Sequence, residues 1–253
     1  MSNLRAIFRL AMSILIKIIH SLLSYILVGI VGLIFGLPIL IILLLPERIR
    51  YNSRFYAWCT HQFFYWTLMA TLLPITFIGT SNIPKNTPVI FAANHQSSLD
   101  VPLVGVLAKG QPSVWLAWSQ LVNYPVLGFI LKRVAVLVDA STPTRAARSL
   151  LEAIDRIKNN QHHVMIFPEG GRYTDGKVHD FFSGFVILAR RTGRSVVPVY
   201  IKGASKAYPP HAWLANWYPV QVVIGSPFMV HESETDEAFK QRVHDWFVEQ
   251  QEK

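Results

Sequence analysis

A single cysteine, Cys59, stands among 253 residues. It can supply neither an intrachain disulfide framework nor a cysteine-based zinc cluster. Charge is sparse as well: Asp, Glu, Lys and Arg make up 15% of the chain, and only 15 residues are acidic. There is no internal repeat, low-complexity tract or flexible interdomain linker. The net charge of +9 is unaccompanied by zinc spacing, a helix-turn-helix pattern or an RNA-binding aromatic motif, so a nucleic-acid partner is not indicated. Neither a metal nor an organic cofactor is expected. Apolar side chains are what the chain has in excess: 51% of residues, with a mean hydropathy of +0.32. Basic residues interspersed with apolar ones suit an anionic membrane surface and anionic substrates.

The apolar excess is concentrated at the N-terminus. From Ile18 to Pro46 no residue is charged except for a potential charge on His20, and Leu22 to Leu45 is long enough to cross a bilayer. The stretch is too long and too apolar for a buried helix of a soluble domain. It is also too long, and lacks the small-residue cleavage site, for a signal peptide. Gly29, Gly32, Gly36 and Pro38 predict a bend within it. A second apolar segment, Phe55 to Phe77, carries Trp58, Phe63, Phe64, Tyr65 and Trp66, residue types that favour the membrane interface. Arg5, Arg9 and Lys17 precede the first segment, and Arg48, Arg50 and Arg54 follow it. A transmembrane hairpin would place one basic group outside, against the positive-inside tendency. Residues 1–79 are therefore expected to form a helical membrane anchor lying re-entrant or in plane on the cytoplasmic face, with true membrane spans as the alternative.

From about Thr80 the pattern changes. Short apolar runs read as strands at Val89–Ala93, Val114–Ala117, Val134–Val138, Val164–Phe167, Val196–Ile201 and Val220–Ile224. Helical patterns separate them. One covers Thr144 to Asn159, with Ala147, Leu150, Leu151, Ile154 and Ile157 on one face. Others run from Gly184 to Thr192 and from Glu234 to Gln250, the last burying Phe239, Val243, Trp246 and Phe247. Strands alternating with helices predict an α/β domain over residues 80–253, built on a single, mostly parallel sheet flanked by helices.

Two polar blocks follow strands in this domain, at the loop edge where α/β enzymes place their chemistry. The first is Asn94-His95-Gln96-Ser97-Ser98-Leu99-Asp100. An imidazole with an ordinary pKa of about 6.5 suits general-base work near neutrality. A carboxylate on its other nitrogen would fix the tautomer and stabilise the imidazolium. Within one helix a spacing of five residues would splay the two side chains by about 140°. The pair can meet if His95 lies in the turn after the strand and Asp100 opens the next helix. The plainer reading is a helix cap, since Ser97-x-x-Asp100 fits a capping box and Pro102 suits a first turn. The second block is Phe167-Pro168-Glu169-Gly170-Gly171-Arg172. Pro168 stops the strand, and Gly170 and Gly171 permit a tight turn whose N–H groups can face a phosphate or an oxyanion. Arg172 adds a permanently charged planar fork. The plainer reading is an ordinary strand-to-loop turn.

Taken together, in this order and behind an apolar N-terminus, the two blocks resemble the signature of the PlsC-like glycerolipid acyltransferases, over most of residues 85–203. Pro125 and Gly128 between the blocks, and Phe181, Gly184 and Pro198 after the second, fit the same pattern. The resemblance implies transfer of a fatty acyl group from acyl-CoA or acyl-carrier protein to the hydroxyl of a lysophospholipid. Lysophosphatidate giving phosphatidate is the leading case. His95 would be the general base and Asp100 its orienting partner. Asn94, Glu169, Gly170, Gly171 and Arg172 would bind substrate, with Glu169 and Gly170 shaping the site and Arg172 holding the acceptor phosphate. The nucleophile would be the substrate's own hydroxyl, so no enzyme Ser or Cys is required.

The chain departs from this pattern where the family often carries basic residues. Trp118-Ser119-Gln120-Leu121 occupies the place of a Lys-x-Glu-Leu block, Ala140 that of a basic residue, and Phe182 and Ser183 those of lysines. Arg145 and Arg148 lie further on, as substitutes or as a solvated helix face. These changes bear on the acceptor more than on the reaction. They leave open a larger-headgroup lysophospholipid or a lyso-ornithine lipid as acceptor. A non-catalytic membrane lipid-binding protein is the alternative from another class.

Overall fold

The computed structural model describes residues 2–139, 141–158 and 162–253; Ala140, Asn159 and the side chain of Arg5 lie outside what is described. A long helix opens the chain. Helix α1 (Ser2–Val31) passes through a single π-helical turn, Gly32–Gly36, into α2 (Leu37–Leu43), which carries Pro38 in its first turn. Proline cannot donate to the helix ladder, and a widened turn just before it absorbs the mismatch. Where a bend is predicted, the chain thus forms a π-bulge within a helical run that is long and apolar enough to cross a membrane from Phe8 to Leu43. Phe8 and Leu33 are 65% and 72% exposed, among many large apolar side chains left uncovered along this run.

A short α3 (Glu47–Asn52) leads into α4 (Arg54–Ala70), whose start is capped by the Ser53 hydroxyl accepting from the Tyr56 N–H. Arg50 is not a free basic flank. It is buried, and its guanidinium donates to the carbonyls of Leu43 and Leu45 at the end of α2. The second apolar segment also divides. It is helical only to Ala70, and after the left-handed Leu72 it becomes strand β1 (Ile75–Ile78). The sheet therefore begins before Thr80.

The remaining elements are β2 (Ile90–Ala93), α5 (Asp100–Gly105), β3 (Ser113–Trp118), α6 (Pro125–Val134), β4 (Ala135–Val138), α7 (Pro143–Lys158), β5 (His163–Ile166), α8 (Gly184–Thr192), β6 (Val196–Lys202), α9 (Ala204–Ala207), β7 (Val220–Ile224) and α10 (Asp236–Glu252). The strands form one sheet in the order β1-β7-β6-β2-β5-β3-β4, parallel at every pairing except β6–β7. This is the α/β architecture expected from the alternating pattern. Strand β2 lies between β6 and β5 and is wholly buried, which is why it reads as an unbroken apolar run.

Alternation along the strands sends side chains to two cores. Phe91, Met165 and Val197 pack under α4, α5 and α9 with Leu68, Leu103 and Ala204. Ile90, Val164 and Val196 pack on the other face with Ile157 of α7, Phe185 of α8 and Phe239 of α10. Truncating a fully buried ring such as Phe185 to alanine would cost about 3–5 kcal/mol. The α7 stripe is split. Ala153, Ile154 and Ile157 enter the core, whereas Leu151 is 61% exposed and lines a cavity together with Ala147.

Because β2 and β5 are adjacent and parallel, with Ala92 opposite Ile166, both polar blocks leave the sheet at the same edge.

Candidate active site

His95 sits in the turn between β2 and α5, and Asp100 is the first residue of α5. The Asp100 side chain points back into that turn. Its Oδ2 lies 2.7 Å from His95 Nδ1 and also accepts the N–H groups of Gln96 at 2.5 Å and Ser97 at 2.7 Å. The carboxylate is completely buried, and these donors take the place of the lost hydration at Oδ2, while Oδ1 has no partner among the described residues. The His–Asp pair forms, and of the capping box only the Asp100 half does. The N–H of Ser97 meets Asp100, but the Ser97 hydroxyl turns away to donate to the Tyr208 carbonyl.

With Nδ1–H donated to Asp100, Nε2 carries the ring's lone pair, and the Nε–H of Arg172 donates to it at 3.1 Å. The imidazole also stacks on Phe167, with centroids 4.0 Å apart and planes 12° from parallel. The second block therefore supplies both an aromatic shelf and a cation to the first.

Main-chain bonds join the blocks further. Glu169 Oε2 accepts the N–H of His95 at 3.1 Å, and the N–H of Tyr173 donates to the His95 carbonyl at 2.9 Å. The other oxygen of Glu169 accepts the N–H of His179 at 3.2 Å, which ties down the loop after Arg172. Burial pushes the Glu169 carboxyl up to about 6, against the opposing effect of these two donated bonds. In the same loop the ring of His179 stacks on Tyr173 at 3.7 Å and pairs with Asp175 at 3.0 Å.

The glycines differ in their use. Gly170 has φ +67, and a Cβ there would come within 2.6 Å of Phe182 and 2.9 Å of Trp118. Its N–H donates to the Phe167 carbonyl and closes the turn, so only Gly171 of the expected pair keeps a main-chain N–H without an acceptor among the described residues. Trp118 donates its indole N–H to the Gly170 carbonyl and meets Phe182 edge to face. The aromatic residues that replace basic ones in the sequence thus form one wall around Gly170.

Asn94 behaves differently from its expected role. Its amide is taken up by the backbone of Ile201, donating at 2.9 Å and accepting at 2.6 Å. It fixes the end of β2 to β6 and is buried. His163 is another chemically capable residue with a structural position. Its Nδ1 accepts the Val89 N–H and its Nε2 meets Gln111, while burial pushes its pKa down to about 4 and keeps it neutral.

His95 opens onto a cavity of 1490 Å³. Its walls are chiefly apolar and include Leu40 of α2, Phe64 of α4, Trp115 of β3, Leu131 of α6 and Ile187 of α8. Sequence reasoning missed this cavity, since its lining comes from at least six separate elements. The mixed burial of the α7 stripe, apolar on more of its surface than a core contact needs, is the trace it leaves in the sequence.

The sequence profile of the family described as Acyltransferase matches residues 74–202. The 1-acyl-sn-glycerol-3-phosphate acyltransferase of Pseudomonas aeruginosa is 28% identical over 240 residues, covering 92% of this chain and 91% of that protein. The chloroplast enzyme of the same name from Arabidopsis thaliana is 28% identical over 164 residues, and the match spans only 45% of its length. The chain likewise spans less than half of the Brassica napus chloroplast relative, at 43%. The crystal structure of the 1-acyl-sn-glycerophosphate acyltransferase PlsC from Thermotoga maritima superimposes with a TM-score of 0.73 at 26% identity, covering 94% of this chain and 97% of that one. With the family profile spanning half of its length and both polar blocks inside the match, the chain belongs to the acyltransferase family.

Proposed function

We propose that the protein transfers a fatty acyl group from a thioester donor, acyl-CoA or acyl-carrier protein, to the free hydroxyl of a lysophospholipid. The observation that carries this reading is His95, oriented by Asp100 through Nδ1 and facing an apolar cavity large enough for an acyl chain. As the acceptor oxygen attacks the thioester carbonyl, Nε2 takes its proton. Asp100 stabilises the imidazolium, and the departing thiolate recovers the proton. Burial of Asp100 under three donors keeps this partner in place without solvent competition.

Arg172 is the cation best placed to hold an acceptor phosphate, since it is exposed and directly adjacent to His95. Glu169 acts on His95 and the following loop through its main-chain bonds, as a positioning group rather than a ligand to substrate. Lysophosphatidate is the leading acceptor. The aromatic wall of Trp118 and Phe182 favours tolerance of larger headgroups.

The membrane association implied by the apolar N-terminus is best read as a monotopic anchor with the α/β domain on the cytoplasmic face. A helical run of 36 residues is about 54 Å long, well beyond a hydrocarbon core of about 30 Å. Its middle is tied to the rest of the chain. His20 and Ser24 meet the Thr71 carbonyl, and Ser21 accepts the N–H of Ala215. Both observations support a helix lying along the surface. The test of the function is turnover by purified protein, with labelled donor and a panel of lysolipids. Formation of diacylated product that disappears in His95→Ala supports the reading. No product from any acceptor, in a protein that still binds donor, would sink it.

A further inference from the structure

We infer that the His95–Asp100 pair can also hydrolyse its acyl donor with water, and that Arg172 suppresses this second activity until an anionic acceptor draws it away. The inference rests on the acyl-transfer reading. Asp100 occupies Nδ1 of the imidazole, and Phe167 covers one face of the ring. Nε2 is the remaining base, and it already accepts the Nε–H of Arg172 at 3.1 Å. A lone pair engaged by a permanent cation is not available to take a proton from water or from an alcohol.

The clamp is held loosely. Arg172 is exposed and forms no salt bridge with a carboxylate among the described residues, and its polar contact is with the His95 imidazole. A phosphate offers stronger, charge-assisted and bidentate bonds, and moving the guanidinium onto one frees Nε2. The base is then exposed in the presence of a phosphate-bearing acceptor and covered in its absence. The reaction held back is simple. Water's oxygen attacks the thioester carbonyl carbon while Nε2 takes its proton. The C–S bond breaks, and the thiolate leaves with that proton from the imidazolium. Free fatty acid and free thiol result.

The experiment measures free CoA release from saturating acyl-CoA without acceptor, using purified full-length protein in lipid nanodiscs. Arg172→Ala and Arg172→Met should raise release about ten- to a hundredfold over the unsubstituted protein, the range for a hydrogen bond to a charged group. Transfer to lysophosphatidate should fall in the same variants. Adding His95→Ala to Arg172→Ala should return release to background, which assigns the hydrolysis to this base. Release no faster than in the unsubstituted protein, in both Arg172 variants, overturns the inference. Transfer that depends on His95 would then stand by itself. Absence of transfer and of release in every variant would overturn the inference and the acyl-transfer reading together.

Discussion

The carboxylate of Glu169 accepts the main-chain N–H of His95 at 3.1 Å, fastening the turn after β5 to the turn after β2. Two loops far apart in sequence thereby behave as one piece, and the position of the imidazole depends on a residue that does not touch the ring. The first two expectations concern the members of this unit.

Replacing His95 with alanine is expected to lower turnover by about two to four orders of magnitude while the fold and membrane association persist. Asp100→Asn should be strongly impaired too, because an amide keeps the shape but loses the charge that stabilises imidazolium. Its amide oxygen can take the place of Oδ2 under the same three donors, with the NH2 at the position of Oδ1, so the variant isolates the loss of charge. Steady-state rates with circular dichroism as a control for folding decide the matter. Near-normal turnover in a folded His95→Ala protein removes the mechanism.

For Glu169 the sign of the pH effect is fixed by its raised pKa. Burial lifts the carboxyl from 4.5 to about 6, so between these values the folded chain holds a proton that the unfolded chain releases. Its contribution to stability is full below pH 4.5 and is lost as the pH rises through about 6. Compared with Glu169→Gln, the unsubstituted protein should therefore gain up to about 2 kcal/mol on acidification across this window. Thermal unfolding of the two proteins over a pH series measures the difference. A gap that does not change with pH contradicts the burial argument.

Acceptor choice tests the wall around Gly170. Arg172→Ala should chiefly raise the acceptor KM, with kcat/KM falling about ten- to a hundredfold, and lysine should restore it only in part. Trp118→Lys, which replaces an aromatic wall with a cation, should shift competition towards lysophosphatidate by about fivefold over lysophospholipids with larger headgroups. Strict preference for lysophosphatidate in the unsubstituted protein, unaffected by Arg172→Ala, would refute both the phosphate clamp and the tolerant wall.

The anchor can be tested by labelling. Arg50 is unsuitable for this because it is buried against the end of α2, so the pair of choice is Arg9 and Arg54, both exposed. Cysteines at these positions, in a Cys59→Ser background, should share accessibility to an impermeant thiol reagent in oriented vesicles. Labelling from opposite sides would establish a crossing between them.

Much of this was legible in the sequence for physical reasons. Strands such as Val196–Lys202 are buried on both faces, so they stand out as continuous apolar runs, and α8 runs over Gly184–Thr192 as its pattern indicates. The His–Asp spacing was readable because only a turn followed by a helix start lets those side chains meet. Strand β1 was hidden, since Ile75–Ile78 continues the apolar character of α4 and nothing in composition marks the change of period. The structural position of Asn94 was equally hidden. Its partner, Ile201, lies 107 residues away, and an amide that pairs with backbone looks no different in sequence from one that binds a ligand. Glu169, expected among the substrate-binding residues as one that shapes the site, likewise has main-chain partners, at His95 and His179.

The helical run proposed as the membrane anchor is also a wall of the cavity, through Gly36, Ile39, Leu40 and Leu43. In the proposed reaction an acyl chain would then rest against the same helix that, as a monotopic anchor, turns its outer side to the bilayer. Catalysis becomes a property of a two-dimensional mixture. Rates should follow the mole fraction of acceptor in the surface, not its amount per volume of buffer, and diluting the vesicles at constant composition should leave the turnover of bound enzyme unchanged. Tension or curvature that shifts the helix would alter the width of the chamber itself, making the physical state of the bilayer a variable in the rate law.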